Sequence, residues 1–439
     1  MDAKNETYHT LLARHEAMRL RRQLLSPGPL AHVTDGDTPY VPSGTAYDGP
    51  ADQQTILRGL DKVTPFEELI THLCQALFAR RPSLRSLFPA SMEFQQAHLA
   101  RALWYLIEHL HRPDDLARTF MRLGRDHRKL GLRPAQYTAF EAALREALRV
   151  QAAAGWTVEL EQAWLRMLRF GITAMERGAE AALRAPPCWR ATVTRHQLRA
   201  PDLALLRLRP HEAFPHRPGQ YVTLEAPRLP HTWRPFYPAG AYGTEGDLEL
   251  HVRRTGPGGV SDALVNGTAV GDEIRIGPPR GDLTLHDGPE DRLHLVAWDT
   301  GWSAMKALIQ ELDRRTRPGP AHRVPTVRLH IGAETPAGLY DTDCLSGLER
   351  RHTWLTVVPV IDTSRARACD RLVQELTRHP SHTAVRTLMA GPPILVRTLT
   401  AALSHAGTPA ELLQHDLPPN DPDAPRHPAV TVSATGCHG

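Results

Sequence analysis

The spacing of apolar residues changes near residue 186, and this change constrains the fold more than any other feature. From residue 64 to about residue 183, apolar residues recur every three or four positions, which is the spacing of one buried helix face. Examples of this spacing are Phe66, Leu69, Ile70, Leu73 and Leu77. After the breaker Ala185-Pro186-Pro187 the period becomes two, as in half-buried strands. The chain is therefore predicted to be multidomain.

The region after the breaker divides again. The segments QYVTLEA, DLELHVRR and DEIRIG alternate apolar and polar residues between Gly and Pro turns, which predicts an antiparallel β-barrel up to about Leu285. From Arg292 onward strand-like runs alternate with helical ones, which predicts an α/β domain with a parallel sheet. The predicted fold class is an all-α domain, an antiparallel β-barrel and an α/β domain, in that order.

These patterns set the predicted domain boundaries. Residues 1–55 contain a basic amphipathic helix at 8–25 and an irregular Pro- and Gly-rich linker at 26–54. The helical domain follows at 56–185, the barrel at 186–288 and the α/β domain at 289–418. Residues 419–439 are Pro-rich and predict a loose tail.

Composition excludes several classes of protein. The chain of 439 residues has 41% hydrophobic residues and a net charge of only +4, without the concentrated basic patches of a nucleic-acid binder. Its apolar runs are too short for a membrane span, and its start lacks the layout of a signal peptide. We therefore expect a cytoplasmic protein without nucleic-acid or membrane partners. The five cysteines are scattered without CxxC spacing, which predicts free thiols.

One histidine lies on a predicted buried stripe of the helical domain. Leu116, Phe120, Leu123 and His127 are separated by steps of four, three and four, so the imidazole faces the core. Spacing alone leaves two interpretations open. His127 is either a core histidine bonded to a backbone carbonyl, or a ligand to a metal or cofactor.

The residues around His127 resemble those of flavohaemoglobins. The segment DHRKLGLRPAQYTAF is similar to their proximal region, where a tyrosine, here Tyr137, follows the histidine after a Pro-x-Gln. The segment ITHLCQALFARRPSLRSLFP is similar to their second helix and corner, with Phe88 at the position that packs on the porphyrin. Gln95 and Leu99 match the distal glutamine and leucine. The resemblance implies haem b ligated by His127, a pocket lined by Phe88 and Leu99, and catalytic roles for Gln95 and Tyr137.

The chain departs from this family on both sides of the expected haem. Cys74 stands where the family has a distal tyrosine, and a thiol is a weak hydrogen-bond donor for dioxygen. Cys74 is either this poorer catalytic donor or simply a small buried hydrophobe. The family's proximal glutamate is replaced by Ala179 in our register, with Glu180 adjacent and Glu176 one turn earlier.

The barrel segments RPGQYVTL, WRPFYPAG and GPGGVSDAL resemble the FAD-binding motifs of ferredoxin reductases. The resemblance implies that Tyr221 flanks the flavin, that Arg234 pairs with its diphosphate, and that backbone N–H groups bind the phosphates at the turn Gly258-Gly259-Val260-Ser261. Within the run Arg234-Pro235-Phe236-Tyr237, Phe236 keeps a stacking ring, but Tyr237 places a bulky phenol where a small donor is usual. We expect substoichiometric FAD; the alternative is a barrel kept only as scaffold.

The α/β domain departs further from that family. Its first turn keeps Thr300 and Gly301, but Trp298 is expected to obstruct a nicotinamide diphosphate. An Asp299 carboxylate at about 6 Å from a phosphate charge would cost roughly 3 kcal/mol at an effective dielectric of about 20. Ala390-Gly391-Pro392 replaces a Cys-Gly-Pro motif, and Asp416-Leu417-Pro418 replaces a Glu-x-Phe motif. We predict a degenerate NAD(P)H site; the alternative is tolerated variation.

By resemblance, the function is that of a nitric oxide dioxygenase-like haem oxidoreductase. Its partners are dioxygen and a small molecule, either nitric oxide or a metabolite, with a separate reductase where its own nicotinamide site fails. Two alternatives remain open at this point. One is a haem enzyme of specialised metabolism with external or no electron supply, and the other is a non-enzymatic haem-based gas or redox sensor.

Overall fold

The computed structural model describes residues 48–88, 92–132, 134–240, 246–286, 291–316, 325–378 and 380–416. The chain forms two compact units, divided between Cys188 and Trp189, and each is described by itself. The predictions for the helix at 8–25, for the linker up to residue 47 and for the tail at 419–439 lie outside the described residues.

The first unit is helical throughout its described residues. Its α-helices are α1 Gly49–Arg58, α2 Phe66–Arg80, α3 Glu93–His109, α4 Pro113–His127, α5 Pro134–Ala152 and α6 Val158–Ala181. The apolar stripes predicted from the spacing form one core, in which Leu69, Ile107 and Leu116 are fully buried. The all-α prediction is confirmed.

The end of the predicted linker is wrong, because residues 49–58 form helix α1. The Asp48 side chain accepts a hydrogen bond from the Ala51 N–H and so caps this helix, and a proline lies in its first turn. Ile56 on α1 is fully buried, and Asp52 is ion-paired with Arg166 of α6 at 2.5 Å. A cap and tertiary contacts thus stabilise a segment whose composition resembles a loop.

Helix α4, which carries His127, crosses α6 with the two backbones in direct contact. A Cβ atom added at Gly124 would lie 1.9 Å from the Met175 carbonyl oxygen, and one added at Gly178 would lie 1.9 Å from the Met121 carbonyl oxygen. Only glycine allows this approach on both helices. The crossing therefore determines where the last turn of α4 lies relative to α6.

The second unit begins with an antiparallel sheet. Its strands are β1 Trp189–Ala200, β2 Leu203–Pro210, β3 Val222–Glu225, β4 Trp233–Phe236, β5 Leu248–Arg253 and β6 Glu273–Ile276, with helix α7 Val260–Asn266 before β6. The strand order is β4-β3-β6-β1-β2-β5, and a bridge between Pro238 and Leu250 joins the two edges. The predicted antiparallel domain is confirmed, with β1, β2 and β4 in addition to the strands that the pattern identified.

A parallel sheet with helices completes the second unit. Its elements are β7 Arg292–Trp298, α8 Trp302–Thr316, β8 Thr326–Ala333, α9 Thr342–Arg351, β9 Leu355–Ile361, α10 Arg365–Thr377, β10 Arg386–Ala390, α11 Pro393–His405 and β11 Leu413–Gln414. The order β11-β10-β7-β8-β9 changes direction at β7, so the ends of β7 and β10 form the crevice where ligands bind in such sheets. The α/β prediction is confirmed.

Among the described residues, no helix combines the length and the apolarity that crossing a membrane requires.

Candidate functional site

His127 is the last residue of α4 and is half-buried. Its Nδ1 atom lies 2.9 Å from the carbonyl oxygen of Leu123. A carbonyl can only accept a hydrogen bond, so Nδ1 must carry the proton, and a neutral ring then keeps its lone pair on Nε2. This is the tautomer that ligating histidines adopt when a backbone carbonyl orients them. The donor set therefore fits a haem iron.

The predicted pocket residues Phe88 and Leu99 are half-buried and pack against the core of the helical unit. The Phe88 ring lies edge-on to Phe78, with centroids 5.2 Å apart. Half-buried apolar side chains on a core surface are compatible with an apolar cofactor that covers them.

Cys74 lies on α2 with 6% of its surface exposed, and Gln96, rather than Gln95, is the glutamine near enough to affect the pKa of its thiol. Burial raises the pKa of the thiol, and the Gln96 side chain offsets this only in part, so Cys74 is a neutral thiol at pH 7. Gln95 and Gln96 are both half-buried on α3. The resemblance implied Gln95 as the distal glutamine, whereas Gln96 is the one of the two that affects Cys74.

Tyr137 lies on α5 and is half-buried. Burial raises its pKa, and the carboxylate of Glu176 raises it further, so the phenol stays protonated and can donate a hydrogen bond. Of the three positions considered for a proximal carboxylate, Glu176 on α6 is the one whose charge reaches Tyr137. Glu180 is exposed and Ala179 carries no acid.

The predicted flavin residues lie on β4 and the loops beside it. The Arg234 Nη1 atom donates to the Trp233 carbonyl at 3.1 Å, Pro235 is exposed, and Phe236 packs against the barrel core. The ring of Tyr221 is edge-on to that of Tyr237 at 6.0 Å. The two tyrosines predicted to contact the flavin ring therefore face each other.

Tyr237 packs against the core of the α/β part, and its hydroxyl lies 3.5 Å from the Asp416 carbonyl oxygen. Burial, together with the charge of Asp416, holds the pKa of its phenol well above the usual value. The arginine side of the FAD site is thus compatible with a diphosphate, whereas the phenol occupies space on the ring side.

The predicted phosphate turn is shaped for backbone donors but already uses one of them. Gly258 adopts φ +73°, and its N–H donates to the Asp262 carboxylate at 2.8 Å. Ser261 accepts from the Thr255 N–H at 3.1 Å, and the side chain of Val260 is buried. A bound phosphate would compete with Asp262 for the Gly258 N–H, which supports weak FAD binding.

The expected obstruction by Trp298 is wrong. Its indole is 2% exposed and lies in the core on one face of the parallel sheet. A Cβ atom added at Gly332 would lie 2.1 Å from the indole Cε3, and one added at Gly391 would lie 2.9 Å from the Trp298 Cβ. Glycines at these positions make room for the ring, so Trp298 fills the core and does not project into the crevice.

The expected repulsion from Asp299 also needs correction. Asp299 has φ +54°, and its carboxylate accepts from Arg253 Nε at 2.8 and 2.6 Å. Arg253 belongs to β5 of the barrel and also pairs with Asp202 at 2.7 Å. The expected cost of roughly 3 kcal/mol for a phosphate near Asp299 applied to a carboxylate without a cationic partner. Pairing with Arg253 reduces this charge effect and ties the turn to the barrel.

The other predicted nicotinamide residues do meet at the ends of β7 and β10. A Cβ atom added at Gly301 would lie 2.1 Å from the carbonyl oxygen of Ala390, so the two turns are in close contact. Thr300 is half-buried, and Gly391 and Pro392 precede α11. The two sequence motifs therefore identified the same place in the fold, but they did not identify the contacts that connect it to the barrel.

Sequence reasoning missed Lys306, a buried cation on α8. Its Nζ atom lies 2.9 Å from Glu249 Oε1 and 3.0 Å from Asp341 Oδ2. A compositional signal was present: only four of the 52 basic residues are lysines, at positions 4, 62, 129 and 306. In an arginine-rich chain, a lysine within an apolar helix marks a position where a compact ammonium is retained.

Comparisons with known proteins agree with this architecture. The globin family model matches residues 71–175, and the model described as an oxidoreductase FAD-binding domain matches residues 190–285. A flavohaemoglobin structure from Malassezia yamatoensis, described with bound FAD and haem, aligns with 82% of this chain and 96% of its own, with a TM-score of 0.66 and 17% identity. The chain thus contains a globin domain and an oxidoreductase FAD-binding domain, and its architecture is similar to that of flavohaemoglobins.

Sequence relatives cover smaller shares of this chain. A flavohaemoprotein of Pseudomonas aeruginosa is 27% identical over 270 residues, which are 57% of the chain and 68% of the relative. The reductase component of a propane 2-monooxygenase from Rhodococcus jostii is 26% identical over 52% of the chain and 62% of its own length. The predicted fold class and oxidoreductase class are confirmed, and the two domains predicted to hold haem and FAD match the globin and FAD-binding families.

Proposed function

We propose that this chain is a haem-dependent oxidoreductase of the flavohaemoglobin type, in which His127 ligates the iron and dioxygen reacts with nitric oxide. The observation that carries the proposal is the place of His127 within the residues that the globin family model matches, with a hydrogen bond from its Nδ1 to the Leu123 carbonyl that puts the lone pair of the neutral ring on Nε2. The globin match and the flavohaemoglobin fold support it. When bound, haem iron supplies an open coordination position for a diatomic molecule.

The residues of this chain would act around that position. The amide of Gln96 can donate a hydrogen bond on the distal side, where it lies near the neutral thiol of Cys74. Phe88 and Leu99 would exclude water from an apolar pocket. Tyr137, kept protonated beside Glu176, can donate a hydrogen bond on the proximal side.

The reaction can be tested without any assumption about electron supply. Protein reduced chemically under anaerobic conditions is mixed with dioxygen and then with nitric oxide, and nitrate is measured. We expect about one nitrate per haem in a single turnover. No nitrate above a free-haem control would overturn the nitric oxide assignment and favour another haem reaction.

We expect electron supply from nicotinamide to be poor. The proposed degenerate site comprises the turns at 299–301 and 390–392, and Arg253 of the barrel is bonded to the first of these turns through Asp299. At micromolar NADH or NADPH, stopped-flow reduction of the flavin or haem should be slower than about 1 per second, the lower end of usual turnover rates. Dithionite should reduce both groups fully. Rapid reduction by NADH would contradict the proposal and remove the need for a separate reductase.

The two adjacent glutamines provide a matched pair of variants. Gln96→Leu should accelerate dioxygen dissociation from the ferrous haem about tenfold, because one hydrogen bond of about 1 to 1.5 kcal/mol is lost. Gln95→Leu, one residue away on the same helix, should change this rate less than about twofold. Flash photolysis measures both rates. The reverse order would return the distal role to Gln95, the residue that the resemblance implied.

A further inference from the structure

A buried polar network spans the junction between the barrel and the α/β part of the second unit. Around Lys306, the Glu249 side chain is 21% exposed and the Asp341 side chain 9% exposed. The indole Nε1 of Trp302 donates to Asp341 Oδ2 at 2.9 Å. Glu249 belongs to β5 of the barrel, whereas the other three residues belong to α8 or precede α9. We call these residues, with His251 and Tyr340, the Lys306 network.

His251 and Tyr340 extend the network. His251 is 3% exposed, and its Nε2 atom lies 3.1 Å from Glu249 Oε1. An ionised carboxylate only accepts, so Nε2 carries the proton and Nδ1 accepts from the Tyr340 hydroxyl at 2.8 Å. Burial lowers the pKa of His251, which keeps the ring neutral. The two contacts of His251 thus connect β5 to the α/β part through Tyr340 and connect His251 to Glu249 within β5.

The charges of the network depend on Lys306. Burial raises the pKa of Glu249, but hydrogen bonds from His251 and Lys306 outweigh it and hold this carboxyl ionised. Burial lowers the pKa of Lys306, and the two carboxylates outweigh it in turn. Removing the ammonium would leave Glu249 and Asp341 facing each other without a shared cation, a change that strongly destabilises buried ion pairs.

The network lies directly after the turn at 299–301. Trp302 and Lys306 are on the first two turns of α8, and the same strand β5 supplies Arg253, which holds Asp299. Both sides of the turn are therefore bonded to the barrel. In doubly wound sheets this crevice must be open for a ligand to enter.

We propose that the Lys306 network is a lock, which holds the turn at 299–301 and the start of α8 against the barrel and so resists any widening of the crevice. The lock supplies a cause for poor nicotinamide use that does not depend on haem chemistry. Lys306 is its central residue because one ammonium bridges carboxylates from both parts. An arginine is too large for the same buried position, which accounts for a lysine in a chain that otherwise uses arginine.

Cys344 can report the opening of this junction. Its thiol is half-buried on α9, near enough to Asp341 for that carboxylate to raise the pKa of the thiol. Labelling with iodoacetamide, followed at the Cys344 peptide by mass spectrometry in the full chain, measures how often the junction opens. Lys306→Met should accelerate labelling roughly a hundredfold.

Burial raises the pKa of Cys344 and Lys306 lowers it. Loss of the ammonium would therefore slow the thiol chemistry itself, so faster labelling must come from opening.

Lys129→Met is the matched control. Lys129 is also buried, with a 5% exposed side chain, and pairs with Asp126 at 3.0 Å, but it belongs to the helical unit. It should leave Cys344 labelling unchanged. The double variant Lys306→Met, Glu249→Gln should label more slowly than Lys306→Met, because one of the two opposed charges is gone.

Asp341→Asn provides a second measurement if Lys306→Met fails to fold, and it should accelerate amide hydrogen exchange at the start of α8 about tenfold. Hydrogen exchange is needed here because Asp341 raises the pKa of Cys344, so its loss would speed labelling even without opening. Folded Lys306→Met protein that labels at the parental rate, or folded Asp341→Asn protein that exchanges at the parental rate, would overturn the lock. Rapid NADH reduction of the parent would overturn the electron-supply proposal instead, so the two failures are distinguishable.

Discussion

Haem binding should be lost when His127 is replaced by alanine. The variant should lose the Soret absorbance band of the purified protein, because the axial ligand of the iron is removed. The affinity for haem should fall by at least about a hundredfold. The expected cause is the loss of Nε2, the nitrogen left unprotonated by the hydrogen bond of Nδ1 to Leu123. Added imidazole should restore part of the absorbance, since it can occupy the space that the side chain leaves.

The matched control is His109→Ala. His109 is the last residue of α3, and its Nδ1 atom lies 3.1 Å from the Tyr105 carbonyl oxygen, the same backbone contact that His127 makes on α4. If removing any histidine from the end of a helix lowered haem occupancy, both variants would lose haem equally. Full haem occupancy in His127→Ala, or equal loss in His109→Ala, would refute the ligand assignment.

Replacing Trp298 with glycine should destabilise the second unit by about 3 to 5 kcal/mol, the usual cost of deleting a large buried aromatic side chain. The indole is 2% exposed and packs with Val296, Val360 and Met389. For a unit of this size the loss corresponds to a fall of about 10 °C in Tm. The double variant Trp298→Gly, Asp299→Gly should be no better at using NADH, because the indole lies in the core and Asp299 is paired with Arg253.

A double-mutant cycle with Gly332 tests the cause. Gly332→Ala should destabilise the parent, because its Cβ would lie 2.1 Å from the indole Cε3. In the Trp298→Leu background the same substitution should cost much less, because the clashing ring atoms are absent. Differential scanning calorimetry gives the four Tm values. An unchanged Tm in Trp298→Gly, together with tighter nicotinamide binding, would instead show that the indole blocks the crevice.

Much of the fold was predictable from local patterns. The strands RLHLVAW, TVRLHIGA and LTVVPVI were identified within their observed bounds, because buried parallel strands carry continuous apolar runs. The long helices followed from three-four spacing in the same way. Helix α1 was missed because a cap at Asp48 and an ion pair to Arg166, rather than periodicity, stabilise it. Strands β1 and β2 are irregular in register and show weak alternation.

For the candidate site, the sequence by itself determined which segments carry the site residues: the His127 helix, the Arg234 strand, and the turns at 299–301 and 390–392. Tertiary structure alone decided what each side chain does there. Trp298 turns into the core because Gly332 leaves room, and Asp299 is neutralised by Arg253 from a strand 46 positions away. Gln96 rather than Gln95 reaches Cys74. Periodicity records which face of an element is buried, whereas ion pairs, core fit and hydrogen bonds depend on distances between residues far apart in the chain.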